Sequence, residues 1–458
     1  MKHLILSVII CTIGSLTHAQ HEDSLLIRKL ADEILVNSTA YENLRALTKQ
    51  VGPRLAGSTG MVKSENWGLA AMKRAGADTA WMQPCIVPHW DRGGQDLATA
   101  YYSNAGGKTV TRKLDIVALG NSVGSMKALT ADVVEVKDFD DLARRGDEVK
   151  GKIVFYNYRF NPKFVHTFEA YGDAVKYRGQ GPDRASALGA VAVIVRSMSH
   201  STDNHPHTGS TRYDDSSRKI PAVAIGLRDA DFLSEQLRKG RVRVMIHTHG
   251  RFLPDATGHN VIGEIRGSEF PNEYITVGGH LDSWDNSEGA HDDGAGCVQT
   301  IEILRAMKAI GYRPKRTIRF VLFANEENGL RGGNKYAEEA QRKGENHLFA
   351  LESDAGGFTP RGFGFNATPA RFAKITTWST LLAPYGAGDF KTGGGGADIG
   401  PLGRALGTTL AGLRPDSQRY FDVHHARSDT FETVNKRELE LGAVNMAALV
   451  YLVDKYGL

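Results

Sequence analysis

Tyr274-Ile275-Thr276-Val277-Gly278-Gly279-His280-Leu281-Asp282-Ser283 reads as a short apolar strand that ends on a histidine and an aspartate. The same pattern returns twice downstream. The run Thr317–Ala324 is followed by Asn325-Glu326-Glu327-Asn328-Gly329, and Phe349–Leu351 by Glu352-Ser353-Asp354-Ala355-Gly356-Gly357. After the first run, Gly289-Ala290-His291-Asp292-Asp293-Gly294-Ala295-Gly296 opens a helix that fits Ala295–Ile310. Val261–Ile265 adds another strand, and helices fit Asn334–Arg342, Pro369–Leu382 and Lys436–Tyr456. Asn435 and Glu438 stand in the positions of a capping box for the last of these. Strands alternating with helices predict an α/β fold, a doubly wound and mostly parallel sheet with helices on both faces.

In such a sheet, ligands bind beyond the carboxyl ends of the strands. There the successive strand ends deliver His280, the Asp292 turn, the pair Glu326–Glu327, and Asp354. A later loop, Tyr420 to Thr430, returns the pair His424-His425. Alone, each piece has an ordinary explanation. A Glu-Glu pair is usually a solvated turn, an Asp-Asp at a helix start a cap favoured by the helix dipole, and a His-His pair a surface loop. Together they crowd carboxylates into one place, which costs desolvation and repulsion unless cations sit among them. Two divalent metals meet that demand: one bridging carboxylate, with one His and one carboxylate more for each ion, gives near-tetrahedral sites around a shared water. A second carboxylate can then take that water's proton as general base.

Working back toward the N-terminus, 131–252 is a series of short apolar runs separated by turn residues, including Lys152–Phe155, Ala190–Val195, Ala222–Ile225 and Val242–Ile246. One helix fits Asp229–Lys239, and the polar loop His200–Ser217 reads as solvent-exposed. This predicts an inserted β-rich domain over 119–253, with the catalytic domain formed by 20–118 and 254–458. Residues 24–76 look helical, with Thr39 and Glu42 spaced as a capping box and the loop Gly52-Pro53-Arg54-Leu55-Ala56-Gly57-Ser58 between two helices. Lys2 and His3, the apolar run Leu4–Ile13 and Thr17-His18-Ala19 have the layout of a secretory signal peptide, 1–19. A secreted or periplasmic location follows, with no membrane anchor. Beyond that segment only Cys85 and Cys297 remain, so neither a disulfide framework nor a thiolate zinc site is expected. A net charge of +4 spread along the chain, without a basic block, speaks against a nucleic-acid partner.

The segments His280–Ser283, Gly289–Gly296, Asn325–Glu327, Glu352–Gly356 and His425–Thr430 resemble the di-zinc aminopeptidase-type metallopeptidase family, in its carboxypeptidase branch. The likeness extends to Tyr41-Glu42-Asn43-Leu44 and the Gly52–Ser58 loop. The 119–253 segment resembles the protease-associated domain of that branch. The resemblance implies a zinc exopeptidase acting on dipeptides or short peptides, two Zn2+ per chain and a homodimer. It implies that His280 and Asp354 hold one zinc, Glu327 and His425 the other, and that Asp292 bridges. Glu326 is then the general base and Asp282 orients His280. The choice of His425 over His424 follows the family spacing to Asp429 and Thr430. With those ligands in place, His291 is expected to touch substrate or fill the loop.

Two other patterns invite misreading. Gly120-Asn121-Ser122-Val123-Gly124 fits a nucleophile elbow but lacks a following helix, and is expected to be a turn. Gly393–Gly396 completes no phosphate-binding fingerprint and is expected to wall the substrate cleft, with Asp398 as its anchor. The alternatives to be separated are an aminopeptidase for longer peptides, a glutaminyl cyclase and an inactive binding module.

Overall fold

The computed structural model describes residues 21–458, so the signal-like segment 1–19 lies outside the described residues. The strands in chain order are β1 (Thr79–Asp91), β2 (Leu97–Ser103), β3 (Thr109–Leu114), β4 (Ile116–Ala118), β5 (Leu129–Val136), β6 (Ile153–Tyr156), β7 (Ala192–Arg196) and β8 (Ala222–Ile225). They continue with β9 (Arg243–His247), β10 (Arg251–Ile265), β11 (Phe270–His280), β12 (Arg316–Phe323), β13 (Asn346–Glu352), β14 (Pro360–Asn366), β15 (Asp389–Thr392) and β16 (Thr409–Pro415). Two eight-stranded mixed sheets result, ordered β1-β10-β12-β11-β13-β16-β14-β15 and β3-β2-β9-β5-β6-β7-β8-β4.

The centre of the first sheet, β12-β11-β13-β16, is parallel, while β10 and β14 join it antiparallel on either side. Its strands are covered on both faces. In β12, Phe320 and Leu322 point to the core that contains helices Ala295–Ala309 and Lys436–Tyr456. Val321 and Phe323 point the other way, to helices Arg331–Lys343 and Gly400–Leu406. The period-2 alternation of a strand thus serves two apolar cores, so β12 reads as unbroken hydrophobic sequence. Helix Lys436–Tyr456 matches its sequence signal residue for residue, and the Asn435 side chain accepts from the backbone N–H groups of Arg437 and Glu438.

Several local expectations give way. Thr39 makes no side-chain cap; instead its N–H and hydroxyl both go to the buried carboxylate of Glu302. The expected helix Pro369–Leu382 is split into Pro369–Thr376 and Ser379–Leu382. The hydroxyls of Thr376 and Thr377 donate to the carbonyls of Ala373 and Lys374 at the break, the kind of side-chain competition that ends helices. The second sheet is also more helical than its strand pattern suggested. Helix Thr167–Gly179 buries Ala170, Ala174, Tyr177 and Arg178, an i, i+4, i+7, i+8 stripe of two alanines, a tyrosine and an arginine that is too weakly apolar to show in the sequence. Strands β2, β3 and β4 pair within this second sheet, although residues 97–118 precede the expected insert. The partners of β2 and β4, β9 and β8, lie more than a hundred residues downstream, beyond the reach of local pattern, and β3 joins through β2. Among the described residues no helix is long and apolar enough to cross a membrane, and Cys85 and Cys297 are buried free thiols.

Candidate metal centre

Parallel pairing places the ends of β11, β12 and β13 side by side, His280 opposite Phe323 and Gly278 opposite Glu352. Beyond that edge the structure brings together all five residues expected to hold metal. The Nε2 of His280 lies 3.1 Å from Asp292 Oδ1 and 3.4 Å from Asp354 Oδ1. The Nε2 of His425 lies 3.2 Å from Asp292 Oδ2 and 3.2 Å from Glu327 Oε2. Asp292 therefore turns one oxygen to each histidine. Glu326 lines the same cavity of about 390 Å³, together with Asp354, Tyr420 and His424.

Burial, followed by repulsion from Asp354 and Glu327, pushes the Glu326 carboxyl well above the usual range, and burial and Asp292 push Glu327 up to about 7. Asp354 is raised as well, by burial first. Burial also acts on Asp292, but the hydrogen bond to His280 and the proximity of His425 and His424 outweigh it and hold its carboxyl low. Asp292 Oδ2 and Glu327 Oε1 are buried without a hydrogen-bond partner among the described residues. Buried acids that resist ionisation, with orphaned carboxylate oxygens among them, fit a pair of divalent cations, and an all-nitrogen-and-oxygen donor set fits zinc. His280, Asp292 and Asp354 form one candidate ligand group; His424, His425 and Asp292 form another.

Neighbouring groups hold these side chains in place, and several went unread in the sequence. Asp293 accepts from the N–H groups of His280 and Gly296 at 3.0 and 2.9 Å. A Cβ on Gly279 or Gly296 would stand within 2.5 Å of that carboxylate, which is why glycine is needed at both. Asp429 accepts from the N–H groups of His291 and Asp292. Asp282 acts differently from the expected partner of His280. The His280 Nδ1 sits 3.0 Å from the Asp282 backbone carbonyl, while the Asp282 carboxylate receives the N–H groups of Glu326 and Glu327. The carboxylate itself is 3.8 Å from the ring. It thus fixes the two glutamates directly and the histidine only through its own backbone.

The remaining sequence candidates also find places. His291 stacks on Phe358 with ring centroids 4.1 Å apart, and its Nδ1 accepts from Gly357 N–H. Burial lowers its pKa to about 4, so it is a neutral loop-filling ring. His424 stacks on His425 at 3.6 Å, with its Nε2 at 3.6 Å from Asp292. His425 makes the shorter approach and alone reaches Glu327. The Ser122 hydroxyl donates to the carbonyls of Leu119 and Ala222 within a buried turn. Gly393–Gly396 do wall a neighbouring cavity of about 680 Å³. Their anchor is Glu352 instead of Asp398: Glu352 accepts from Ile399 N–H at 2.9 Å, and Gly396 sits so close that a Cβ would overlap its carboxyl. The loop 200–217, expected to be exposed, buries His207, Thr208 and Thr211, because Thr208 N–H is bonded to the carbonyl of His425 at 2.9 Å.

Arg54, in the quoted Gly52–Ser58 loop, is fully buried and donates to the carbonyls of Leu281, Glu288 and Gly289. It straps the segment between the first histidine and the Asp292 turn. Arg54→Ala should destabilise the fold by about 3–5 kcal/mol, since it opens a cavity and orphans three carbonyls. Urea-induced unfolding measures this; a loss under about 1 kcal/mol would mean that water replaces the guanidinium without cost.

With this geometry in view, likenesses to known proteins become informative. Residues 260–450 match the model of Peptidase family M28. Carboxypeptidase Q of Bos taurus is 33% identical over 416 residues, covering 90% of this chain and 85% of that one. Carboxypeptidase Q of Rattus norvegicus is 34% identical over 417 residues with the same coverage. The crystal structure of a Peptidase M28 precursor from Shewanella amazonensis SB2B superposes with a TM-score of 0.90 at 31% identity, covering 96% of this chain and 98% of that one. A zinc aminopeptidase from Bacillus subtilis shares the fold with a TM-score of 0.63 at 21% identity, over 90% of this chain and 94% of its own. The identity over nearly the full chain and the carboxylate–histidine cluster at the sheet edge agree: the chain belongs to peptidase family M28, the metallopeptidase family its motifs resemble.

Proposed function

We propose that this M28 metallopeptidase is a two-zinc exopeptidase for dipeptides or short peptides, exported by its N-terminal segment 1–19, with the 119–253 region as a protease-associated insert. The observation that carries the two-metal reading is Asp292, whose two oxygens face His280 and His425 separately. His280, Asp354 and Asp292 would hold one ion, and Glu327, His425 and Asp292 the other. Bound zinc supplies a Lewis acid for the scissile carbonyl and a lower pKa for water. Glu326 accepts the proton of the attacking water and returns it to the leaving amine, a duty that suits a buried carboxylate lining the cavity. Asp282 holds Glu326 and Glu327 at fixed backbone positions during that exchange. The small cavity, closed on one side by Phe168, Tyr171 and Arg178 of the second sheet's helix, favours a short substrate.

Kinetics on a free dipeptide, its N-acetyl form and its C-terminal amide test this reading. The free dipeptide should be cleaved with the highest kcat/KM, and blocking the ends should cost about tenfold or more, one lost charge-assisted contact being worth some 1.5–3 kcal/mol. Equal rates on long peptides would favour an aminopeptidase. Two zincs per chain and no cyclisation of an N-terminal glutamine would dispose of the cyclase reading.

A further inference from the structure

The two halves of the centre are built from different parts of the chain. The hydrogen bonds that orient His280 and the Asp292 backbone come from segments flanking the first sheet: Asp293 and the Asp282 carbonyl for His280, Asp429 for Asp292. Glu327 takes the Asp282 carboxylate through its N–H, and His425 the Asn286 amide through its carbonyl, but these two also receive contacts from the second sheet. The Thr208 carbonyl lies 3.3 Å from His425 Nδ1, and Thr208 N–H bonds the His425 carbonyl, so one residue of the second sheet's loop grips both the ring and the backbone of His425. His425 is itself held at φ +60, a left-handed conformation uncommon for residues with a β-carbon. Arg178, also from the second sheet, donates from Nη1 to the Thr208 carbonyl at 3.3 Å and from Nη2 to Tyr171 Oη at 2.7 Å, so it supports His425 through Thr208. Next to Glu327, Asn328 and Asn121 exchange amide contacts: Asn328 Nδ2 donates to Asn121 Oδ1 at 3.3 Å, and Asn121 Nδ2 to the Asn328 carbonyl at 3.5 Å. Asn121 belongs to the turn that mimicked a nucleophile elbow.

We infer that the second sheet completes one metal position of the two, bracing Asn328 beside Glu327 through Asn121 and His425 through Thr208, which Arg178 supports, so that full occupancy of this position depends on the insert while that of the His280–Asp354 position does not. The inference rests on the two-zinc reading above. Asn121, Thr208 and Arg178 are positioning residues. Their contacts fix where two donors stand before an ion arrives, which reduces the ordering that binding must otherwise impose.

The test uses the full chain, loaded with zinc and then dialysed against a weak chelator, with zinc per chain, thermal unfolding and hydrogen exchange recorded. The parent should keep two zincs. Asn121→Gly, which tolerates the left-handed backbone at φ +65, and Arg178→Gln should fall toward one while unfolding cooperatively. Exchange should accelerate in 424–429 and stay slow in 280–296. Arg241→Ala, on a remote exposed ion pair of the same sheet, should keep both. Variants that keep two zincs, or lose both together, overturn the inference, as does exchange that opens in 280–296. Should either variant fail to fold, zinc titration of the parent decides. Slowing of exchange in 119–123 and 205–211 must then accompany that in 424–429, and slowing that is absent, or that follows 280–296 alone, overturns it. A parent that holds only one zinc refutes the two-metal reading and this inference with it; two zincs in the parent with joint loss in the variants refutes this inference alone.

Discussion

Glu326→Gln should keep the parent's zinc content and lose turnover by a factor of about 10²–10⁴, the usual range for removing a general base. The substitution preserves shape and the backbone bond from Glu326 N–H to the Asp282 carboxylate, so the loop should stay in place. It removes the one property the mechanism needs, a carboxylate that can hold a proton between water and amine. The group is well suited to that duty: it is buried in the cavity, and neighbouring Asp354 and Glu327 add to burial in raising its pKa. Metal analysis alongside kcat is decisive, because full activity in the variant removes the base assignment, while joint loss of zinc would make Glu326 a ligand instead.

A still larger effect is expected at Asp292. Asp292→Asn leaves one neutral oxygen where two charged ones now face His280 and His425 at 3.1 and 3.2 Å. Both ions would be weakened at once, by more than the roughly 10–100-fold typical of changes to residues that merely support a ligand. Zinc per chain after dialysis should fall below one and activity should vanish together with it. The paired histidines give the comparison. His425→Ala should lose one zinc, and His424→Ala should keep two, since only His425 reaches Glu327. If Asp292→Asn retained two tightly held ions, the bridge would be wrong; if His424→Ala lost one, the ligand would be its neighbour.

The edge that gathers the acids and histidines was legible because its residues are written locally. Each of His280, Glu326–Glu327 and Asp354 directly follows an apolar strand, and in a parallel sheet the ends of adjacent strands must meet. The long C-terminal helix was legible for the same reason, through its Asn435 cap. The supports were not. Arg54 stands about 230 residues from the carbonyls it straps, and nothing in Gly52–Ser58 says where its guanidinium goes. Thr39 looked like a cap until a buried carboxylate from far along the chain claimed its N–H.

By itself, then, the sequence determined the alternation of strands and helices, the absence of a cysteine framework and the set of acids and histidines that gather at one edge. Those features depend on side-chain period and on what immediately follows each strand. Tertiary structure alone decided that Asp282 supports the glutamates, that Glu352 and not Asp398 anchors the glycine-rich wall, and that a loop expected in solvent grips His425. Such contacts join residues tens to hundreds of positions apart, and a buried donor or acceptor takes whichever partner the packed chain brings within reach.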